Sequence, residues 1–241
     1  MAAHLVDDVL AHAGKDTLSP PGDNRGAARA LRTLMPVPIR ADKRIAMLLK
    51  VIAAILVLFG AYQCWESREV PQPPGILAPH QPIQKDIANP EPFDFKGYRI
   101  TPLAAFEIEA RVLSRERYRR GREAELSPID LALGWGPMSA QQVLEQLDIS
   151  QSHRYYRWQT DHLPLPAHVI ARHSANMHII PAGDPIEDEL MKIRKGHIVR
   201  LGGYLVQATA PDGWRWRSSL SRKDTGGGAC EIVLVNRIAV L

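Results

Sequence analysis

The sequence predicts a mainly β protein with a few short helices, preceded by a single transmembrane helix. Three features of the chain predict this class. Residues 45–64 are almost entirely apolar, residues 65–92 are rich in proline, and the chain from residue 93 onward consists of short β-type runs separated by turn signals. Only this last part has the apolar density of a packed globule, so we expect one β-rich domain at residues 93–241.

The composition of residues 1–44 predicts a largely disordered cytoplasmic tail. A short amphipathic stretch gives way to several prolines and glycines, which favour irregular structure. A start of translation at Met35 is an alternative, because a positive flank and an apolar run follow it, as in a membrane-directing N-terminus.

The apolar run over residues 45–64 is about 20 residues long, which at 1.5 Å per residue covers a hydrocarbon core of about 30 Å. Only Lys50 interrupts the run, and its long side chain can carry the ammonium group back to the headgroups. Because Arg40, Lys43 and Arg44 precede the run, the positive-inside rule predicts a cytoplasmic N-terminus. We expect an uncleaved anchor in the inner membrane, with the C-terminal domain in the periplasm or outside; cleavage as a signal peptide is the alternative.

Residues 65–92 contain seven prolines and little hydrophobic periodicity, which predicts an extended, polyproline-like spacer. Such a spacer would hold the β-rich domain away from the membrane with few contacts between them. We therefore expect a fragment that begins at residue 91 to be soluble and to fold by itself.

Within the β-rich domain, alternating apolar residues and turn signals predict eight strands and three helices. The best-defined hairpin surrounds Asp212 and Gly213, a pair that supplies the positive φ of a tight turn. The predicted strands cover residues 98–101, 106–113, 130–135, 155–160, 175–180, 198–208, 214–219 and 230–237, and the predicted helices cover residues 139–147, 167–172 and 185–195.

This layout, together with the sequence KGHIVRLGGYLV at residues 195–206, resembles a small closed or half-closed β-barrel of the OB type, with an unrelated β-sandwich as the alternative. A second resemblance covers nearly the whole domain. The segments YRITPL (98–103), DLALGWG (130–136), HSANMH (173–178) and WRWRSSL (214–220) are similar to a family of uncharacterised, membrane-targeted bacterial proteins. That resemblance implies membrane targeting and no particular activity.

Charge and cysteine content disfavour nucleic-acid binding and a disulfide-stabilised fold. The chain carries a formal net charge of +4, but basic and acidic residues nearly balance over residues 93–241, so nucleic-acid binding is disfavoured. The two cysteines, Cys64 and Cys230, are too few for a disulfide framework, and we read Cys230 as a small buried hydrophobe, with an intermolecular disulfide as the alternative. The sequence predicts neither a metal site nor a cofactor.

The polar segment around His173, Ser174 and His178 contains residue types that a hydrolase uses. A serine nucleophile would need one of these histidines as its base and a carboxylate such as Asp130 to orient it. However, no Gly-x-Ser-x-Gly elbow is present, and adjacent strand residues point to opposite faces. We therefore favour the interpretation that these residues satisfy backbone groups at a strand end. The histidine spacing, including His162 and His168, also disfavours zinc.

Aromatic and basic residues predict a binding surface. In a strand, Trp214 and Trp216 share one face while Arg215 and Arg217 share the other, so the two kinds of side chain would not line one site. We favour indoles in the core and an exposed basic stripe; an aromatic stacking platform is the alternative. The candidate binding residues are Tyr155, Arg157, Arg215, Arg217, Arg222 and Lys223.

Together these features favour a membrane-anchored, extracytoplasmic binding module for a polymeric ligand, such as an anionic polymer, or for an envelope protein. A structural subunit of an envelope assembly and a hydrolase that uses Ser174 with His173 or His178 are the alternatives.

Overall fold

The computed structural model describes residues 43–66, 68–221 and 230–241. The predicted tail, except for its last two residues, and the candidate binding residues Arg222 and Lys223 lie outside the described residues. Helix α1 spans Lys43–Glu66, and its segment Lys43–Tyr62 is long and apolar enough to cross a membrane. Its described side chains are largely exposed within the protein, as expected of a helix whose apolar surface would face lipid.

The rest of the described chain is mainly β with a few short helices, as predicted. The strands are β1 (Ile83–Asp86), β2 (Phe93–Phe95), β3 (Tyr98–Arg117), β4 (Ile129–Gly134), β5 (Asp148–Ser152), β6 (Tyr155–Gln159), β7 (Ser174–Pro181), β8 (Ile198–Thr209), β9 (Arg215–Arg217) and β10 (Glu231–Val240). The helices after α1 are α2 (Arg122–Leu126), α3 (Gln141–Leu144), α4 (Ala167–Arg172) and α5 (Asp184–Lys192).

The five long strands pair in a closed ring. Strand β3 pairs antiparallel with β4, which pairs antiparallel with β7. Strand β7 runs parallel to β10, β10 pairs antiparallel with β8, and β8 returns to pair antiparallel with β3. The 20-residue strand β3 pairs with β8 along its first part and with β4 along its last part, and the bulges near Pro102 and Leu113 bend it. Strands β1 and β2 add to β3, β9 adds to β8, and the β5–β6 hairpin forms a separate two-stranded sheet.

The main hydrophobic core uses one face of every ring strand, because strand side chains alternate between faces. Strand β4 contributes Leu131 and Leu133, and β7 contributes Met177 and Ile179. Leu190 of α5 packs against the same core. Helix α5, which connects β7 to β8 along the chain, is therefore held against β7 and β10 by the burial of its apolar side.

The opposite face of β4 and β7 is covered by two smaller apolar clusters. Leu126 of α2 and the half-buried Trp216 pack with Ile180 at one end of this face. Ala132 packs at the other end with Ile170 of α4 and with apolar residues of α3 and the β5–β6 hairpin. Along β7, polar residues lie between these two clusters, and they position the candidate site.

Residues 69–81, which we call the strap, lie against the β domain. Val70 donates its backbone N–H to the Lys195 carbonyl at 2.8 Å, and the backbone N–H groups of Leu77 and Ala78 donate to the Ser139 hydroxyl at 3.0 and 3.1 Å. These bonds correct the prediction that few contacts join the proline-rich segment to the domain. The prolines prevent this segment from forming a helix, so the backbone N–H groups of its other residues remain available for hydrogen bonds to the β domain.

An ion pair between a buried arginine and a partly exposed glutamate strengthens the strap contact. The Arg111 guanidinium is fully buried, and its Nη2 atom lies 3.1 Å from Oε1 of Glu69. The same guanidinium donates two more hydrogen bonds, from Nη1 to the Ser139 carbonyl and from Nη2 to the Gln141 side chain. Burial lowers the pKa of Arg111, and Glu69 opposes that shift. The strap therefore supplies the carboxylate that compensates a buried cation of β3.

Several predicted elements have different ends in the structure. Helix α4 matches the predicted residues 167–172, whereas the helix predicted over residues 139–147 is limited to α3. Strand β3 unites the first two predicted strands, because the bulge near Pro102 lets pairing with β8 continue past the proline. Strands β1, β2 and β5 were not predicted, since each is only three to five residues long.

Candidate functional site: a cleft beside the β5–β6 hairpin

A cleft of about 300 Å³ lies on the outer face of β7, beside the turn of the β5–β6 hairpin. Its walls come from α2, the hairpin turn, β7, β9 and the start of β10, so segments distant in sequence converge there. The lining residues are Glu123, His153, Arg154, Tyr155, His178, Trp216, Arg217 and Cys230.

The hairpin turn has an uncommon backbone conformation. Its two central residues, His153 and Arg154, have φ values of 52° and 68°. Two-residue hairpin turns with positive φ at both positions usually contain glycine, asparagine or aspartate, because other side chains clash with the backbone in this region. Strain at such positions costs about 1–3 kcal/mol each and persists only where the surroundings hold it.

Contacts of Arg154 hold the turn in place. Its Nη1 atom lies 2.6 Å from Oδ1 of Asp130, a carboxylate that is fully buried. Its Nη2 atom donates to the Ser127 carbonyl at 2.9 Å, and its backbone N–H donates to the Tyr118 hydroxyl at 2.9 Å. The guanidinium carbon lies 3.8 Å from the Tyr118 ring centre and 5.7 Å from that of Trp216, within the range of cation–π attraction.

His178 lies beside the same carboxylate. Its Nδ1 atom is 3.0 Å from Oδ2 of Asp130, but the two atoms are not aligned for a hydrogen bond. The imidazole also packs on the Trp216 ring, with 5.0 Å between ring centres. Asp130, Arg154 and His178 thus form one buried polar cluster on the outer face of β4 and β7.

A second set of polar contacts ties the hairpin to β7. The Gln151 amide donates to Oδ1 of Asn176 at 2.6 Å, and the Asn176 amide donates to the Arg154 carbonyl at 3.0 Å. The Cys230 sulfur lies 3.9 Å from the same Asn176 amide. Polar bonds therefore fasten the tip of the hairpin, whereas apolar packing fastens its other end.

No family model, curated protein or solved structure matches the chain. The resemblance to membrane-targeted bacterial proteins stays a prediction.

The three catalytic candidates do not converge. Ser174 and His178 lie on one face of β7 but four residues apart, which separates them by about 13 Å. The Ser174 hydroxyl donates to the Ile170 carbonyl at 2.8 Å and accepts a hydrogen bond from Tyr156 at 3.3 Å. His173 contacts the Val169 carbonyl at 2.8 Å through Nδ1. Ser174 thus has the backbone-satisfying role that the sequence favoured.

Tyr156 lies in an apolar surrounding. Burial raises its pKa to about 12, and the bond to Ser174 only partly opposes that shift. Tyr156 therefore stays neutral at physiological pH and is not a base for Ser174. Among the residues that the structure describes, no group of three or more His, Cys, Asp or Glu side chains could hold a metal ion.

The predicted binding residues separate into two groups. Tyr155 and Arg217 line the cleft, whereas Arg157 and Arg215 are not among its lining residues. The guanidinium carbon of Arg157 lies 5.9 Å from the Tyr155 ring centre, and its Nη1 atom donates to the Ser152 hydroxyl at 2.7 Å. Both Arg215 and Arg217 are exposed, as predicted for the basic stripe.

The prediction for the β9 strand requires two corrections. Trp214 and Trp216 are half-buried on the outer cluster and are not part of the main core. Trp216 and Arg217 line the same cleft, although strand alternation predicted separate faces. Strand β9 ends at Arg217, and the Nη1 atom of this residue donates to Oε1 of Gln207, its cross-strand partner on β8, at 3.0 Å.

Sequence reasoning did not identify Arg154 or Tyr118 as site residues. The turn Ser152–Tyr155 carries none of the glycine or asparagine signals that mark a tight hairpin. The one available signal was Asp130, a charged residue inside an otherwise apolar run, since a buried carboxylate requires a cationic partner.

Proposed function

We propose that this chain is a single-pass membrane protein whose β domain binds an anionic polymer outside the cytoplasm. The observation that carries the proposal is the cleft, which combines basic side chains with aromatic rings beside the closed ring of strands. Polymer-binding sites of this kind use charge-assisted hydrogen bonds to acidic groups and ring faces for stacking.

We infer that the closed ring of strands is a small barrel of the OB type. A five-stranded ring, with a helix before its fourth strand, supports that inference. In OB folds the second and third strands, with the loops after the first and fourth strands, bind oligosaccharides and oligonucleotides. The corresponding described segments here are β4, β7, residues 118–128, residues 210–221 and Cys230. Lining residues of the cleft come from β7 and from both of these loops.

The charges of the cleft favour an anionic ligand. Arg217 is exposed at its rim, and His153 is a second exposed basic side chain. Among the described residues that line the cleft, Glu123 is the one carboxylate, and the charge of Arg154 is compensated by Asp130 behind the cleft. The Trp216 and Tyr155 rings suit the faces of sugar rings, so we propose an acidic polysaccharide as the ligand class.

Arg217→Ala in the full-length chain, purified in mild detergent, is expected to weaken binding of a uronic-acid hexasaccharide about 10-fold or more. The reason is the loss of one charge-assisted hydrogen bond, worth about 1.5–3 kcal/mol. Isothermal titration calorimetry at low ionic strength measures the dissociation constant. Added salt should weaken wild-type binding, and an uncharged glucose hexasaccharide should bind less tightly.

Arg215→Ala is the matched control, because Arg215 carries the same charge on the same strand but does not line the cleft. It should change the dissociation constant less than twofold. Equal losses in the two variants would show that net charge, and not the cleft, determines binding.

We propose an inner-membrane location with the N-terminus in the cytoplasm and Leu241 outside it. The support is the apolar length of Lys43–Tyr62 and the basic residues before it. A reporter enzyme that is active only in the cytoplasm, fused after Leu241, should show no activity, whereas one active only in the periplasm should be active. The reverse pattern would overturn the topology.

A further inference from the structure

Four residues surround the guanidinium of Arg154: Tyr118, Ser127, Asp130 and Trp216. We call them the cage. We propose that the cage is a guanidinium-binding site, that Arg154 is its resident but exchangeable ligand, and that an arginine side chain of a partner protein can replace it and release the hairpin tip. This inference goes beyond polymer binding and does not depend on it.

The chemistry of the cage suits a guanidinium rather than an ammonium group. Two different nitrogens donate to separate acceptors: Nη1 to Asp130 and to the Ser127 hydroxyl at 3.3 Å, and Nη2 to the Ser127 carbonyl. The planar group also lies over the Tyr118 ring. A lysine offers one rotating donor centre and no planar face, so it cannot reproduce this fork.

The closed hairpin tip carries conformational and polar costs. Two residues without glycine's freedom have positive φ, as described above. In addition, Oε1 of Gln151 is buried without a hydrogen-bond partner among the described residues, and Oδ2 of Asp130 and Nδ1 of His178 lie 3.0 Å apart in a poorly aligned contact. A buried polar atom without a hydrogen bond costs about 1–3 kcal/mol. These costs favour local opening of the tip at a lower free energy than global unfolding.

Opening would uncover an acceptor-rich surface. Asp130, Asn176 and His178 project from the outer face of β4 and β7, directly beneath the hairpin tip. The buried carboxylate at its centre cannot remain without a cation. A partner that takes the place of Arg154 must therefore bring a cation of the same shape, which in a protein is an arginine side chain.

Chemical rescue tests the cage. Full-length Arg154→Ala in mild detergent is titrated with millimolar methylguanidinium or methylammonium at constant ionic strength, and the thermal midpoint is measured. Methylguanidinium should raise the midpoint saturably, by about 2–4 °C at several times its dissociation constant. Methylammonium should not raise it. In Arg215→Ala the resident Arg154 competes for the cage, so methylguanidinium should raise the midpoint by less than half as much. An equal effect of both cations, or an equal gain from methylguanidinium in Arg154→Ala and Arg215→Ala, would overturn the proposal.

Hydrogen exchange of the wild-type chain tests exchangeability and does not require that the alanine variant fold. N-acetyl-arginine amide should increase amide exchange at residues 148–159 at least twofold, while the matching lysine amide leaves it unchanged. Unchanged protection of these residues at saturating arginine amide would show that Arg154 is a permanent structural group and would overturn the proposal.

Discussion

Replacement of Arg154 by alanine is expected to lower the free energy of unfolding by about 3–5 kcal/mol, because it leaves a buried carboxylate without its cation. Asp130 is fully buried, and its Oδ1 atom accepts the 2.6 Å bond from Arg154. The remaining neighbour of the carboxylate, His178, is not aligned to replace that bond. Urea unfolding followed by tryptophan fluorescence measures the difference, since Trp216 lies beside the cluster.

Three further variants separate the causes of this loss. Arg157→Ala removes an exposed arginine from the same hairpin and should cost less than about 0.5 kcal/mol. Arg154→Gly should be about 1 kcal/mol more stable than Arg154→Ala, because glycine relieves the positive φ of 68°. Combining Arg154→Ala with Asp130→Ala should recover part of the loss. A cost below 1 kcal/mol for Arg154→Ala would show that the ion pair does not stabilise the domain.

Removal of the strap is the second change with a large expected effect. A fragment that begins at residue 91 should be less stable than one that begins at residue 68 by about 3–5 kcal/mol, because it leaves a buried cation without its carboxylate. The shorter fragment loses Glu69, the partner of the fully buried Arg111. It also loses Ala78, which is completely buried, and strand β1. Urea unfolding of the two fragments measures the difference.

Substitutions in the longer fragment identify which strap contacts matter. Glu69→Gln removes the charge that compensates Arg111 and should reproduce part of the loss. Ile76→Ser changes an exposed strap residue, 54% accessible, and should be nearly neutral. If the two fragments unfold at the same urea concentration, the strap contributes no stability and the prediction of independent folding from residue 91 holds.

Local patterns in the sequence were sufficient to predict many of the helices and strands. Helix α4 and the long strands β4, β7, β8 and β10 follow from apolar periodicity and turn residues, which depend on neighbours along the chain. The short strands β1 and β5 could not be predicted, because each is defined by a partner strand and not by its own residues. The same limit applied to the candidate site: Arg217 and Tyr155 were predicted, and Arg154 was not.

The sequence by itself determined that Lys43–Tyr62 is apolar and long enough to span a membrane and that a mainly β domain follows. Both properties depend only on length, hydropathy and local alternation. Only the tertiary structure decided that Arg154 meets Asp130, 24 residues away, and that Glu69 meets Arg111, 42 residues away. Such pairs depend on strand register and on which segment covers each sheet face. A one-residue shift in either would turn the same side chains towards different partners.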